Sequence, residues 1–245
     1  MKMALLTAAT LVLLHLSFQL EAEISTKDLP DMGNLAKLIG QADESTVEGN
    51  VYNAEGKITA NLPVDDSARG TAALEIASLL SQGNPDVQKN LVAGIEEARV
   101  SLEGHLDSAG FDVKDLGVGM AASFILLWEI ASDKTLADTA ALKAGKFLVH
   151  SFKGNTDNFS TLPATDKARL YDWMMTTPAA FGSMVKGLEA EGSNENARVL
   201  RQKSADLFVE LFKFPHNFFA ISDGGDIEIN IEGLAEFQEE QGISE

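Results

Sequence analysis

The residues best suited to chemistry lie near the C-terminal end. Asp223-Gly224-Gly225-Asp226, followed by Glu228, places three hard carboxylate ligands in a short turn, the chemistry a divalent cation seeks. Calcium takes six to eight oxygens and no EF-hand spacing is present, so a turn leading into a strand is the simpler reading. Gly117-Val118-Gly119-Met120-Ala121-Ala122 fits the G-x-G-x-x-A pattern of dinucleotide sites. Such a site needs a preceding strand inside a βαβ unit. The surroundings here are helical, and the glycines read instead as places of close helix packing. His105, His150 and His216 fall on or after three different elements, without H-E-x-x-H spacing. His105 and His150 lie near helix C-termini, where positive charge is favoured.

Trp128, Tyr171, Trp173, Met174 and Phe181 form the other candidate set, a cleft between two helices that would hold a small apolar ligand. At helical spacing such residues also serve as ordinary core. G-x-S-x-G and the Ser/His/Asp spacings of hydrolases are lacking, and so is any recognisable cofactor motif. No cofactor is expected.

Composition narrows the function further. The chain has 37 acidic and 19 basic residues, a formal net charge of −18, and no cysteine. That charge repels nucleic-acid phosphates and anionic lipid. The lack of cysteine removes disulfides, thiol catalysis and thiolate metal sites. Lys2 and the apolar run Ala4–Leu14 have the layout of a signal peptide, with a cut expected after residue 22. The expected compartment is therefore outside the cytoplasm, periplasmic or extracellular. An exported domain of this size without disulfides points to a bacterial envelope or medium.

The elements that would position these residues are helices. The fold class expected is all-α: a six-helix bundle around a central apolar helix at about 113–131, with a small β-hairpin or strand element near the termini. Residues 1–22 form the signal peptide, 23–66 a loosely attached N-terminal arm, 67–231 the helical domain and 232–245 an acidic tail. In the arm, Val51-Tyr52 and Lys57–Ala60 flank Asn53-Ala54-Glu55-Gly56 as a small hairpin would.

Apolar spacing predicts helices over about 67–81, 85–107, 113–131, 134–152, from 163 onward, and 194–213. Asn84-Pro85 opens the second of these. Its stripe is Val87, Leu91, Ile95, Ala98, Leu102 and Leu106, which leaves Glu96, Glu97, Arg99 and Glu103 off it. Asp112 is the expected cap of the central helix and Asp133 of the next. Leu116–Ala131 has Glu129 as its sole formal charge, so it should be covered on several sides. At ~1.5 Å per residue its length is about 24 Å, short of a ~30 Å hydrocarbon core, so no stable membrane span is expected in the mature chain. Helical phase runs straight through Pro178, which predicts a kink rather than two helices. Alternation over Asp226–Ile231 predicts a strand, paired with the arm around Tyr52–Ile58.

The run Gly110–Leu116 leading into Ala121–Trp128, then Leu162–Asp166 with Asp172-Trp173-Met174, Gly192–Arg201 and Ser222–Gly225, resembles a family of exported bacterial helical proteins known only as a domain of unknown function. Pro178 and the polar Asp223–Glu228 run depart from that pattern. The resemblance implies export and an all-α fold, and no activity. The leading expectation is a non-enzymatic module of the envelope or medium that binds an unidentified protein. A carrier or sensor of a small apolar ligand is the alternative, and an unrecognised hydrolase the third.

Overall fold

The computed structural model describes residues 51–81, 83–153, 159 and 161–230. The expected signal peptide, arm residues 23–50 and the tail 232–245 lie outside the described residues. The chain is an all-α bundle with a small β element. Its helices are α1 (Thr71–Ser81), α2 (Pro85–Ser108), α3 (Leu116–Ser132), α4 (Asp138–Lys153), α5 (Ala164–Ala190) and α6 (Asn194–Phe212). A single 3₁₀ turn (His216–Phe218) then leads into β1 (Phe219–Ile221) and β2 (Ile227–Ile229). Among the described residues, no helix is long and apolar enough to cross a membrane.

α3 is the centre, with thirteen of its 17 residues buried. It packs chiefly against α4, α5 and α6, while α1 and α2 lie against α5 and each other. The bundle therefore has two sides that share α5. Close approach explains the glycines of the G-x-G-x-x-A run. A Cβ at Gly117 would fall 2.4 Å from the Ala60 Cβ, and one at Gly119 would fall 2.7 Å from the Tyr171 ring.

Helix ends follow local chemistry, with corrections to the sequence reading. Asn84 caps α2 by accepting from Asp86 N and Val87 N at 3.1 and 3.2 Å, as expected. α1 begins at Thr71 rather than 67, because Gly70 at φ +82° cannot continue a helix. The cap of α3 is Asp115, which accepts from Val118 N at 3.1 Å, and not Asp112. Asp112 instead accepts from Asn53 Nδ2 at 3.2 Å and ties the hairpin to the α2–α3 loop. Asp133 does not open α4; at φ 54° it is the left-handed C-cap of α3. α4 starts only at Asp138, after a loop held by Glu129, which accepts from Leu136 N at 2.6 Å. Ser193 precedes α6 without a capping bond from its hydroxyl. α5 runs through Pro178 as one helix.

The larger correction concerns residues 51–66, the described part of the expected loose arm. The hairpin is present, with Tyr52 bridged to Ile58 and Asn53 Oδ1 accepting from Glu55 N and Lys57 N. Beyond it the chain is a strap built into the core: Val51, Ile58, Ala60 and Leu62 are all buried. Ile58 N donates to Gly110 O and receives Asp112 N on its carbonyl, both at 2.8 Å. Leu116 N donates to Leu62 O at 2.9 Å. Asp115 holds the strap from beneath, accepting from Thr59 Oγ1 at 2.8 Å, Ala60 N at 3.2 Å and Leu62 N at 2.7 Å. The 226–231 strand is also re-partnered. β2 pairs antiparallel with β1 and not with Tyr52–Ile58, in the register Phe219–Ile229 and Ile221–Ile227. A five-residue connection makes the nearer partner the cheaper one to close.

Candidate functional site

The densest polar cluster lies where α1, α2 and α5 meet. Asp172 is 1% exposed and receives Gly70 N at 3.1 Å and Ala72 N at 2.8 Å, so it caps α1 from 100 residues away. Its Oδ1 also receives Arg99 Nη1. Arg99 is likewise 1% exposed and donates through Nε to Glu103 Oε1 at 3.1 Å. Glu103 Oε2 takes Arg69 Nη2 at 3.0 Å, and Arg69 reaches solvent. The result is a chain of alternating charge from the interior to the surface. Glu96 Oε1 is enclosed nearby with no hydrogen-bond partner.

Tyr171 borders this chain, with the Arg99 guanidinium carbon 6.0 Å from its ring centroid. Its hydroxyl donates to the Val113 carbonyl. Burial, reinforced by the charge of Glu103, pushes this phenol far above its ordinary range. The proton therefore stays on Tyr171, and the group works as a donor rather than a base. Each charge in the chain is met by its opposite. Chemically it is a clamp.

Sequence reasoning put Arg99 off the buried face of α2. The structure puts it on that face, with Ile95 and Arg99 the two residues of α2 that are fully buried. Ile95, Arg99, Leu102 and Leu106 keep helical spacing, and a charge on such a line was the available signal. Asp172 gave a parallel one, an acid set between the aromatic residues Tyr171 and Trp173.

The five residues expected to line an apolar cleft are placed separately. Trp128 is buried and donates its indole N–H to Phe219 O at 3.0 Å, with Lys134 Nζ 5.5 Å from its ring centroid. Tyr171 packs on Gly119 of α3. Trp173 is half-buried and donates to Glu75 Oε2 on α1 at 3.0 Å. Positions two apart on a helix point about 200° apart, so Tyr171 and Trp173 face different neighbours. Met174 and Phe181 are buried in the core. Tyr171 is turned to α3 and Trp173 to α1.

Of the expected metal ligands, Asp226 is ion-paired with Lys143 and bonded to Ser222, whose Oγ donates to Oδ2 at 3.2 Å. Asp223 and Glu228 are exposed. Among the described residues no group of three or more His, Asp or Glu side chains comes together as a metal-binding set. The turn is shaped by Gly225, at φ +84°, where a Cβ would fall 2.4 Å from the Ala140 carbonyl oxygen. Of the histidines, His105 bonds through Nδ1 to Ser101 O at 2.6 Å near the end of α2. His150 occupies the last turn of α4, where burial and then Lys153 lower its pKa. His216 lies edge-on to Phe208, and burial lowers its pKa too.

No family model, curated protein or solved structure matches this chain.

Proposed function

We propose that this protein is an exported, non-enzymatic helical module of a bacterial envelope or medium that works by binding another protein. On this reading it belongs with the exported helical proteins that its sequence pattern resembles. The observation that carries the reading is the placement of α2. Of its 24 residues only Ile95 and Arg99 are fully buried, so a long helix lies along the outside of the bundle. Val100 on it and Leu74 on α1 are 53% and 54% exposed. The polar groups most capable of chemistry are meanwhile spent on one another or on backbone, as at Asp172, Asp115 and Tyr171. The different partners of Tyr171 and Trp173, two of the five expected cleft residues, count against a carrier of apolar ligands.

Crosslinking of the native envelope or culture medium tests this. The expected result is one dominant crosslinked protein partner, mapped to α2 and lost in a Val100→Glu variant that keeps its helical signal. Recovery of only uncrosslinked protein overturns the reading.

A further inference from the structure

Asp223-Gly224 is the only Asp-Gly or Asn-Gly pair in the 245 residues. In the structure it occupies the tip of the β1–β2 connection, with both residues exposed. Around it the turn is fully bonded: Gly225 N donates to Ser222 O at 2.9 Å and Ser222 N to Asp226 O at 2.9 Å. Among the described residues, however, neither the Asp223 carboxylate nor the Gly224 N–H has a hydrogen-bond partner. A carboxyl group and the next backbone nitrogen are thus both free, with no Cβ on residue 224 to keep them apart.

We propose that Asp223–Gly224 is a site of spontaneous isoaspartate formation, and that the modification releases the β-hairpin from α4. The Gly224 nitrogen attacks the side-chain carboxyl carbon of Asp223. The amide proton and the carboxyl hydroxyl leave as water, which closes a succinimide ring. Water then adds to the ring. Opening at the main-chain carbonyl gives isoaspartate, and opening at the side-chain carbonyl restores aspartate. No oxidant or co-reactant is needed.

The neighbours decide the consequence. Isoaspartate routes the backbone through one extra methylene, one residue before a position that has no room to move. Gly225 is buried against the Ala140 backbone, with 2.4 Å between its would-be Cβ and the Ala140 oxygen. The next residue, Asp226, holds Lys143 of α4. A lengthened turn cannot keep both contacts, so the hairpin lifts at this end. Trp128 reports the change, because its indole N–H is bonded to Phe219 O on β1.

The test incubates the folded full-length protein for weeks at neutral pH and physiological temperature. Peptide mapping with electron-based fragmentation then locates isoaspartate, and hydrogen exchange follows the Trp128 indole. Isoaspartate should accumulate at 223, and the modified fraction should lose protection at Trp128. Gly224→Ala is the control. Its Cβ would meet the Asp226 Oδ2 at 3.2 Å, the tip of a side chain that needs to give by only a few tenths of an ångström, so the turn accepts it, while attack by the nitrogen is hindered. This variant should lose most of the isoaspartate and keep its Trp128 protection. The proposal is overturned if folded wild-type protein forms no isoaspartate at 223, if Gly224→Ala forms as much, or if modified protein protects Trp128 as well as unmodified protein does.

Discussion

The two sides of the bundle share α5 but are held together differently. On the α3–α6 side the contacts are apolar and aromatic. Phe124 meets Phe208, Phe212 and Phe219 edge-to-face at centroid distances of 4.8, 5.0 and 5.2 Å, and Phe214 extends the cluster. On the α1–α2 side the same depth of burial is occupied by Arg99 and Asp172. Aromatic packing is locally adjustable and fails in proportion to the volume removed. A buried ion pair depends on its partner: whole, it is close to neutral in stability, and broken, it strands a charge. The first side should therefore set stability, and the second should set which helices meet.

The largest effects expected come from breaking that pair. Arg99→Met leaves Asp172 buried and uncompensated, and should cost about 3–5 kcal/mol in urea unfolding. Asp172→Leu should cost as much, because α1 also loses its remote cap. The double variant Arg99→Met/Asp172→Leu should recover the part of either loss that comes from the stranded charge, since Glu103 keeps Arg69, while the part due to the lost cap of α1 remains. On the aromatic side, Phe124→Ala should cost about 3–5 kcal/mol as well. Adding Phe208→Ala should deepen that loss rather than repair it. Recovery in the first cycle and none in the second would establish the contrast. Equal behaviour in the two cycles would remove it.

Much of the aromatic side could be read in the sequence. Leu116–Ala131 has one charge, and a helix apolar all round must be enclosed, so its central position followed from composition alone. On α6, Ala197, Leu200, Ser204, Leu207, Phe208 and Leu211 keep the spacing of one helix face, and all but the half-buried Leu211 are buried. The clamp was harder to read. Arg99 was assigned to solvent because charge usually is, and its partner lies 73 residues away on a helix whose rotation the sequence does not give. The strap failed for a related reason. Residues 58–64 do alternate, with Ile58, Ala60, Leu62 and Val64 apolar, but what the segment is seated on is set by Asp115, more than 50 residues further along the chain. The five proposed cleft residues are buried, or half-buried in the case of Trp173, and the directions that separate Tyr171 from Trp173 depend on where α1 and α3 sit. Composition and period carry burial well, whereas pairings across the chain leave little trace in one sequence.

Glycines sharpen the contrast at smaller scale. Gly117→Ala would press a methyl into Ala60 of the strap, and overpacking of this kind costs about 1–3 kcal/mol. Gly94 and Gly104 of α2 have open space where a Cβ would go. Alanine at either should stabilise by roughly 0.5–1 kcal/mol through helix propensity. Thermal melts of the three variants decide it. A stabilised Gly117→Ala would mean that the strap is not seated on α3 as described.

The smallest effect belongs to Glu129, the one charged residue of α3. Burial raises its pKa above the ordinary 4.5, against the opposing pull of the Leu136 N–H and then Lys186. The folded state therefore binds this proton more readily than the unfolded chain does. Its contribution to stability is fully present below pH 4.5 and declines as pH rises to the raised value, then stays level. Glu129→Gln removes that step. Gln can still accept the Leu136 N–H through its side-chain oxygen, so the loop into α4 survives. Stability of the variant measured from pH 4 to pH 8 should fall less than that of wild type across this window, by an amount on the order of a few tenths of a kcal/mol, since the group is partly solvated. A fall as steep as that of wild type would mean that the charge on Glu129 is fully hydrated, and that the apolar side ends before the last turn of α3.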